Sequence, residues 1–475
     1  MLSREKYNLD GFYDELIQSD HQPRPHSLSL AQRLQEISAE ELVKKQQACE
    51  RAMFKMGVTF DFHDKQQSII PFDIVPRTIP SSEWNIIEKG LVQRIKALNL
   101  FIEDVYHQQN IMKAGIVPRD VIMEGNSYLK CCENIRPPQG VYTHISGIDL
   151  IRDGKGDIYV LEDNLRCPSG VSYVLKNRHL MKRTLPKVFR HMMVRPVEDY
   201  PLRLLQTLQY LCPHSENPMV VVLTPGRYNS AYYEHAFLAQ QMGVPLVEGS
   251  DLVCKNDFVY MKTTKGLAKV DVIYRRVSDE FLDPTVFNPE SMLGVPGIFN
   301  AYAKGHVALA NAPGAGVADD KVIYTFVPEM IRFYLGEEPI LKNVPTYMPR
   351  RADDMAYIME HLGELVVKEA LGSGGYGMLV GPMASKEQIE LFREKIKASP
   401  RAYIAQPTLS LSRVPTLVGD HFEGRHVDLR PYALYGNGIY VMPGGLTRVA
   451  LKKGSLVVNS SQGGGTKDTW VVSEY

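Results

Sequence analysis

The spacing of apolar and polar positions changes several times along the chain, and each change marks a different element. Over 29–53 (SLAQRLQEISAEELVKKQQACERAM), Leu30, Leu34, Ile37 and Leu42 recur near helical spacing with charges between them, which predicts one amphipathic helix. A second helix is predicted from Trp84 to Gln109, so residues 1 to about 115 read as mainly helical. Between them, FDFHDKQQSIIPFDIVPRTIP (60–80) alternates and carries three prolines, predicting strand or extended loop. From Val141 to Arg178 the period becomes that of strands: THISGIDLI and IYVLEDN flank RDGKGD, a Gly-rich hairpin turn. Residues 183–213 return to helix.

NPMVVVLTPG (217–226) then reads as a buried strand ending in a Gly loop, followed by a helix over 231–242 and the strands GVPLVEG and VDVIYRR. That order predicts an open α/β unit over roughly 215–312. A helix from Lys321 to Leu335 and another at 352–362 precede LVVKEALGSGGYGMLVGP, a strand–Gly loop–strand. The C-terminal third is strand-rich: YIAQPTL, HVDLRPYALYG, GIYVMPGGLTRVAL and SLVVNSS. The fold class is therefore α+β or α/β with an N-terminal helical region.

Composition narrows the function classes. With 44% hydrophobic and 23% charged residues, the chain matches soluble globular proteins and not disordered ones. At 475 residues, it predicts two to four domains. Lys+Arg 54 balances Asp+Glu 54, so no global field steers it to nucleic acid or an anionic membrane. The aliphatic runs are strand-sized, and MLSREKYNLDGFYDEL has no apolar stretch; no membrane span, no secretory signal and a cytoplasmic location are expected. Six cysteines without a CxxC pair read as reduced thiols.

Two constellations carry chemistry. Lys368 precedes Gly372-Ser373-Gly374-Gly375-Tyr376-Gly377, which satisfies G-x-G-x-x-G as a string. A dinucleotide loop must open a helix, whereas this one runs into the strand pattern MLV, and no GK[ST] follows it for a Walker A loop. What remains is a hairpin tip whose bare amides close over phosphates above a strand lysine, or an ordinary Gly-rich turn. The second is Asp149 with Glu162, Asn164 and Arg166. On antiparallel strands Asp149 and Glu162 face each other, and Glu162, Asn164 and Arg166 share a face. Two carboxylates and an amide oxygen suit Mg²⁺, with Arg166 beside them for a phosphoryl group; the alternative is a solvent-facing acidic strand end. Together the two meet the needs of metal-assisted phosphoryl transfer.

From PFDIVPR (71–77) through DNLRCPSGVSYVL, TPGRYNSAYYEHAFLA, VIYRRVSDEFLDP, NAPGAGVADDK and KEALGSGGYG to SSQGGG (460–465), the chain resembles circularly permuted ATP-grasp proteins of type 2, the glutathionylspermidine synthase-like group. Ordinary ATP-grasp ligases such as D-alanine–D-alanine ligase end with an Asp, a Glu-x-Asn and a Pro-Gly loop that bind Mg²⁺. Asp149, Glu162, Asn164 and Pro168-Ser169-Gly170 match these, but here they precede the nucleotide-binding part. The resemblance implies a helical region at 1–130, a permuted metal-binding part at 131–214, a pre-ATP-grasp domain at 215–318 and nucleotide-binding lobes at 319–475. It implies ATP contacts from Lys321, Lys368, the Gly loop and Gln406, and substrate contacts from Pro168, Ser169, Gly170, Glu234, Arg275 and Arg276.

The family's Arg two residues before the metal Asp is replaced by Gly147, which leaves Arg166, Arg430 and Arg448 as candidates to stabilise the reacting group, Arg166 first. The implied activity is ATP- and Mg²⁺-dependent ligation of a small carboxylate to an amine (amino acid, peptide or polyamine) or a thiol, through an acylphosphate. The alternative is a non-catalytic ATP-binding module acting with a separate protein partner. Three bland expectations stand beside this. Asp73 and Arg77 form a local ion pair, Arg275 and Arg276 read equally as a surface salt-bridge pair, and His144 is structural rather than a base.

Overall fold

The structure, a computed structural model, describes residues 7–62, 65–125, 127–372, 377–456, 458 and 464–473. The segment expected as one helix over 29–53 is two, Leu28–Glu36 and Ala39–Lys55. Ile37 is extended, and the Ser38 hydroxyl accepts a hydrogen bond from the Glu41 N–H at 3.2 Å, so an N-cap inside the apolar pattern restarts the helix. The helix expected over 321–335 also divides, into Lys321–Tyr324 and Val327–Leu335, with Pro328 in the first turn of the second.

Among the described residues the largest sheet has ten strands. Near one edge it carries the hairpin Ile145–Arg152 and Ile158–Asn164, followed in order by His421–Arg430, Leu446–Val449, Gly465–Val472 and Phe72–Pro80. The last two pair in parallel, Trp470 opposite Thr78, which joins strands far apart in the sequence. Alternation sorts the faces. Ile148, Leu150, Val160 and Val471 pack with the long helix Ser81–Tyr106, while Trp470, Val472 and Ile145 pack with helices Leu28–Glu36 and Val171–Thr184.

A second sheet is wholly parallel, in the order Ala308–Ala310, Val272–Arg275, Val220–Leu223, Leu246–Val247. It is the open α/β unit that the strand–helix alternation predicts. A third, Leu379–Val380, Leu365–Glu369 and Tyr403–Pro407, is antiparallel and packs a small core with Ile358, Phe392 and Ile396. An antiparallel meander over 252–269, which the sequence reading did not anticipate, completes the β-structure around the parallel sheet.

Two expectations are corrected. The strand period read through Arg178 ends earlier, because Val171–Thr184 is helical. Gly170, at φ +115°, turns the chain, and the Glu234 carboxylate caps the new helix from 64 residues away, a tertiary contact that overrides the β-branched pattern. Asp73 and Arg77 do not pair with each other. Four residues on a strand span about 13 Å, so Asp73 takes Lys467 and Arg77 takes Glu15 at 2.7 Å instead. The strand read at SLVVNSS lies largely outside the described residues.

Candidate nucleotide and metal cleft

Strand register assembles the site. Asp149 lies directly opposite Glu162, and the next pair is Leu150 with Val160, so Leu161 is the extra residue of a bulge. The bulge keeps Asp149 and Glu162 on the cleft face while Asp163 turns to the opposite one. There Asp163 accepts both arms of Arg94, at 2.7 and 2.6 Å, from the helix behind the sheet. The hairpin's back is thereby locked to that helix.

On the cleft face, His421–Arg430 pairs with the first hairpin strand through Leu429 and Leu150, which carries Arg430 over Asp149. Arg430 donates from Nε to Asp149 Oδ1 (2.5 Å) and from Nη2 to Oδ2 (2.8 Å). Arg448, opposite Asp428 in the next strand, donates to Asp149 Oδ2 at 2.7 Å and to both oxygens of Asp428. Burial alone would raise the Asp149 pKa, but the charges of Arg430 and Arg448 hold it well below the usual carboxylate range. Gly147 leaves room for this: a Cβ there would sit 3.3 Å from Arg430 Cδ.

The downstream lysines reach the same place. Lys321 opens its helix behind Asp320, whose side chain caps Val322 N–H at 2.8 Å and pairs with Arg401. Lys321 Nζ lies 3.5 Å from Glu162 and donates to the Gly372 carbonyl at 2.6 Å. Lys368 donates to Gln406 Oε1 at 2.8 Å, and Gln406 donates on to Thr346. Burial lowers the Lys368 pKa to about 8, with Glu162 pulling it up and Lys321 pushing it down. Strands Leu365–Glu369 and Leu379–Val380 are antiparallel, so the Gly loop tops a hairpin. Gly372 and Gly377 bound that loop; Ser373, Gly374, Gly375 and Tyr376 lie outside the described residues.

The Pro168-Ser169-Gly170 loop adjoins Asp149 from the other side. Ser169 O accepts from Tyr432 at 2.7 Å and from Arg430 Nη1 at 3.4 Å. Arg276 donates to Pro168 O at 2.7 Å and to the Ser169 hydroxyl. Glu234 accepts from Gly170 N–H (2.8 Å), Ser172 N–H (3.0 Å) and the Ser172 hydroxyl (3.0 Å), with Arg276 3.3 Å away. Glu234 and Arg276 therefore grip the loop, with the Glu234 carboxylate turned inward.

Arg275 is turned away from the cluster. It donates to the carbonyls of Asn311, Val277 and Ala312 and pairs with Asp279 at 2.8 Å. At 1% and 5% exposure, Arg275 and Arg276 are not a surface pair. Arg166 is 39% exposed and donates from Nε to Asp319 at 2.5 Å. His144 is buried, and burial with the nearby Arg275 charge lowers its pKa to about 3, leaving a neutral ring.

Sequence reasoning missed Asp319, Asp428, Tyr432 and Thr346. Asp428 had a signal, since Asp428-x-Arg430 puts both on one strand face and Arg448 opposite completes a cross-strand pair. The donor set suits a hard cation: Asp149 and Glu162 face each other, and Asn164, whose Nδ2 lies 3.4 Å from Glu162, adds an amide oxygen. Among the described residues no group of three or more His, Cys, Asp or Glu gathers for a metal, so a cation here depends on that amide.

A bulged acidic hairpin facing two lysines, beside a separate parallel sheet, is the arrangement expected of an ATP-grasp protein with its acidic hairpin placed first. The chain matches the family described as circularly permuted ATP-grasp type 2 over residues 76–450, and it belongs to that family. It is 58% identical over 473 residues to an uncharacterised protein of Synechocystis, covering 98% of each. It is 48% identical over 473 residues to an uncharacterised protein of Mycobacterium tuberculosis, covering 98% of this chain and 86% of that one. A Frankia alni protein provisionally named as a glutamate–cysteine ligase is 38% identical over 470 residues; they are 98% of this chain and 54% of that one. A solved glutathione synthetase-like effector of Globodera pallida shares the fold, with a TM-score of 0.58 at 11% identity over 92% of this chain and 98% of that one. No helix among the described residues is long and apolar enough to cross a membrane.

Proposed function

We propose that this protein is an ATP- and Mg²⁺-dependent ligase that joins a small-molecule carboxylate to an amine or thiol. The observation that carries the reading is the approach of Lys321 Nζ to 3.5 Å from Glu162, which brings phosphate-binding and metal-binding groups into one cleft. The substrate carboxylate oxygen attacks the γ-phosphorus of ATP, the bond to the β,γ-bridging oxygen breaks, and ADP leaves. The acceptor nitrogen then attacks the acyl carbon, the bond to the phosphate oxygen breaks, and phosphate leaves with the electron pair as the nitrogen loses a proton.

A carboxylate is a poor acyl donor at neutral pH, and phosphorylation supplies the leaving group. Lys321, Lys368 and the amides around Gly372 and Gly377 hold phosphates, and Gln406 orients Lys368. Asp149, Glu162 and Asn164 would hold Mg²⁺, which supplies charge neutralisation across the phosphates. Arg430 and Arg448 both pair with Asp149, whereas Arg166 pairs with Asp319, so the first two are the arginines assigned to the developing charge. Excluding water from the acylphosphate is the role proposed for the Gly loop between Leu365–Glu369 and Leu379–Val380. Pro168-Ser169-Gly170, fixed by Glu234 and Arg276, borders the substrate side; the glutathionylspermidine synthase resemblance and the name of the Frankia relative favour an amino acid or peptide carboxylate.

The test is ADP and phosphate release across amino acids, small peptides and polyamines, with thermal shift by Mg²⁺-ATP against NAD. Stabilisation by NAD and not by ATP would sink the assignment. A second reading, a nucleotide-binding module that works with a partner protein, is favoured by the 54% coverage of the Frankia relative. It predicts ATP binding without turnover until the partner is added.

A further inference from the structure

We propose that Arg430 is an internal stand-in for the divalent cation: it neutralises Asp149 when no metal is bound and yields that carboxylate when the metal arrives. The inference rests on the metal role proposed for Asp149 and Glu162. Asp149 is 1% exposed and accepts three guanidinium N–H bonds, one on Oδ1 and two on Oδ2. An oxygen of a carboxylate has two in-plane lone pairs, so Oδ2 is saturated and Oδ1 half used. A cation joining Asp149 to Glu162 through Oδ2 therefore needs one of that oxygen's two donors to leave.

Geometry singles out which one. Arg430 Nη2 lies 2.8 Å from Asp149 Oδ2 and 3.9 Å from Glu162 Oε1, so a positive group already sits between the two carboxylates. Arg448 is anchored by its own carboxylate, Asp428, through Nε at 2.9 and 3.0 Å and through Nη2. Among the described residues Arg430 has no second carboxylate at hydrogen-bond distance; its other bond there is to Ser169 O at 3.4 Å. Its stem lies over Gly147, which has no side chain of its own, with Pro168 against the same glycine. A guanidinium and a divalent cation on one buried carboxylate repel each other strongly, so the arrival of one favours the departure of the other. The displaced guanidinium has the Ser169 carbonyl beside it, at the border of the loop assigned to substrate.

The test is Mn²⁺ binding to the nucleotide-free protein, read by electron paramagnetic resonance, in the natural chain and in Arg430→Met. Removing the stand-in is expected to tighten Mn²⁺ at least tenfold, with Arg448 still countering Asp149, and Glu162→Gln added to Arg430→Met is expected to erase the gain. Equal or weaker Mn²⁺ binding in Arg430→Met would overturn the exchange and make Arg430 a fixed positioning residue. A gain that survives Glu162→Gln would overturn it too. If thermal unfolding shows Arg430→Met to be unfolded, Arg430→Lys, which keeps charge but loses the fork, replaces it; about a threefold gain is expected and no gain refutes. The ligase reading fails separately, by absence of ATP binding or turnover, whatever the Mn²⁺ result.

Discussion

Two hairpins face each other across the cleft, and they hold their charges in opposite ways. In the hairpin over 145–164, two buried carboxylates already have guanidinium partners: Asp149 with Arg430 and Arg448, and Asp163 with Arg94. In the hairpin over 365–380, Lys368 bonds a neutral amide, while Lys321 beside it bonds a backbone carbonyl. The first hairpin sits within the large sheet between two apolar layers, whereas most of the second packs in a small core of its own. Balanced charge on a fixed frame suits a site that must keep its geometry. Cations that hydrogen-bond neutral groups, with Glu162 the carboxylate near Lys321 at 3.5 Å, remain able to gain from an arriving anion, which is what a phosphate-binding lobe needs.

The sharpest way to break this contrast is Glu162→Ala, the residue where the two sides meet. Loss of its charge is expected to lower turnover by about a thousandfold or more while the melting temperature stays within a few degrees, checked by phosphate release and calorimetry. Next is Asp163→Ala on the opposite face of the same strand. It leaves Arg94 without its carboxylate in a buried site, and removing one partner of such a pair costs roughly 3–5 kcal/mol, read from denaturant midpoints. A loss below about 1 kcal/mol would show that the frame is not held by this pair.

The lysine side is sharpened by pH. Lys368 has its pKa lowered from 10.5 to about 8, so it is positive below that pH and neutral above it. Nucleotide affinity is expected to be level below pH 7 and to fall up to tenfold per unit once pH exceeds about 8, because the charged form binds phosphate. Bound phosphate raises this pKa, so binding near pH 8 takes up a proton, measurable by calorimetry in buffers of different ionisation enthalpy. Lys368→Met is expected to remove both effects. The smallest effect belongs to the loop itself: Gly377 has φ +68°, and alanine there is expected to cost about 1–2 kcal/mol of local stability. Hydrogen exchange of the 365–380 strands reads it.

What the sequence reveals follows the same division. Asp149 opposite Glu162 is legible because alternation and a hairpin turn fix it locally, and the bulge explains the thirteen-residue gap. The grouping of Lys321 and Lys368 with those carboxylates is legible through family resemblance alone, since it depends on how distant strands pair. Val171–Thr184 was misread because its helical start is set by Glu234, which no local pattern announces. Arg94 and Asp319 were missed for a related reason: Arg94 partners a hairpin residue and Asp319 holds Leu165 and Arg166 just after it, each from an element whose placement is tertiary. Arg166 looked like the free arginine by spacing, yet Asp319 holds it, while Arg430 arrives from a strand over 250 residues later.

The parallel pairing of Phe72–Pro80 with Gly465–Val472 has a consequence during synthesis. Lys467 must reach Asp73, 394 residues upstream, before that edge of the sheet is closed. While the ribosome is still making the rest, the early strand carries unpaired amides and carbonyls on the side its late neighbour will occupy, an open template for wrong partners. Closure of this sheet edge therefore waits on the strand Gly465–Val472, and chains released without it should be captured by chaperones or precipitate rather than accumulate as a working half.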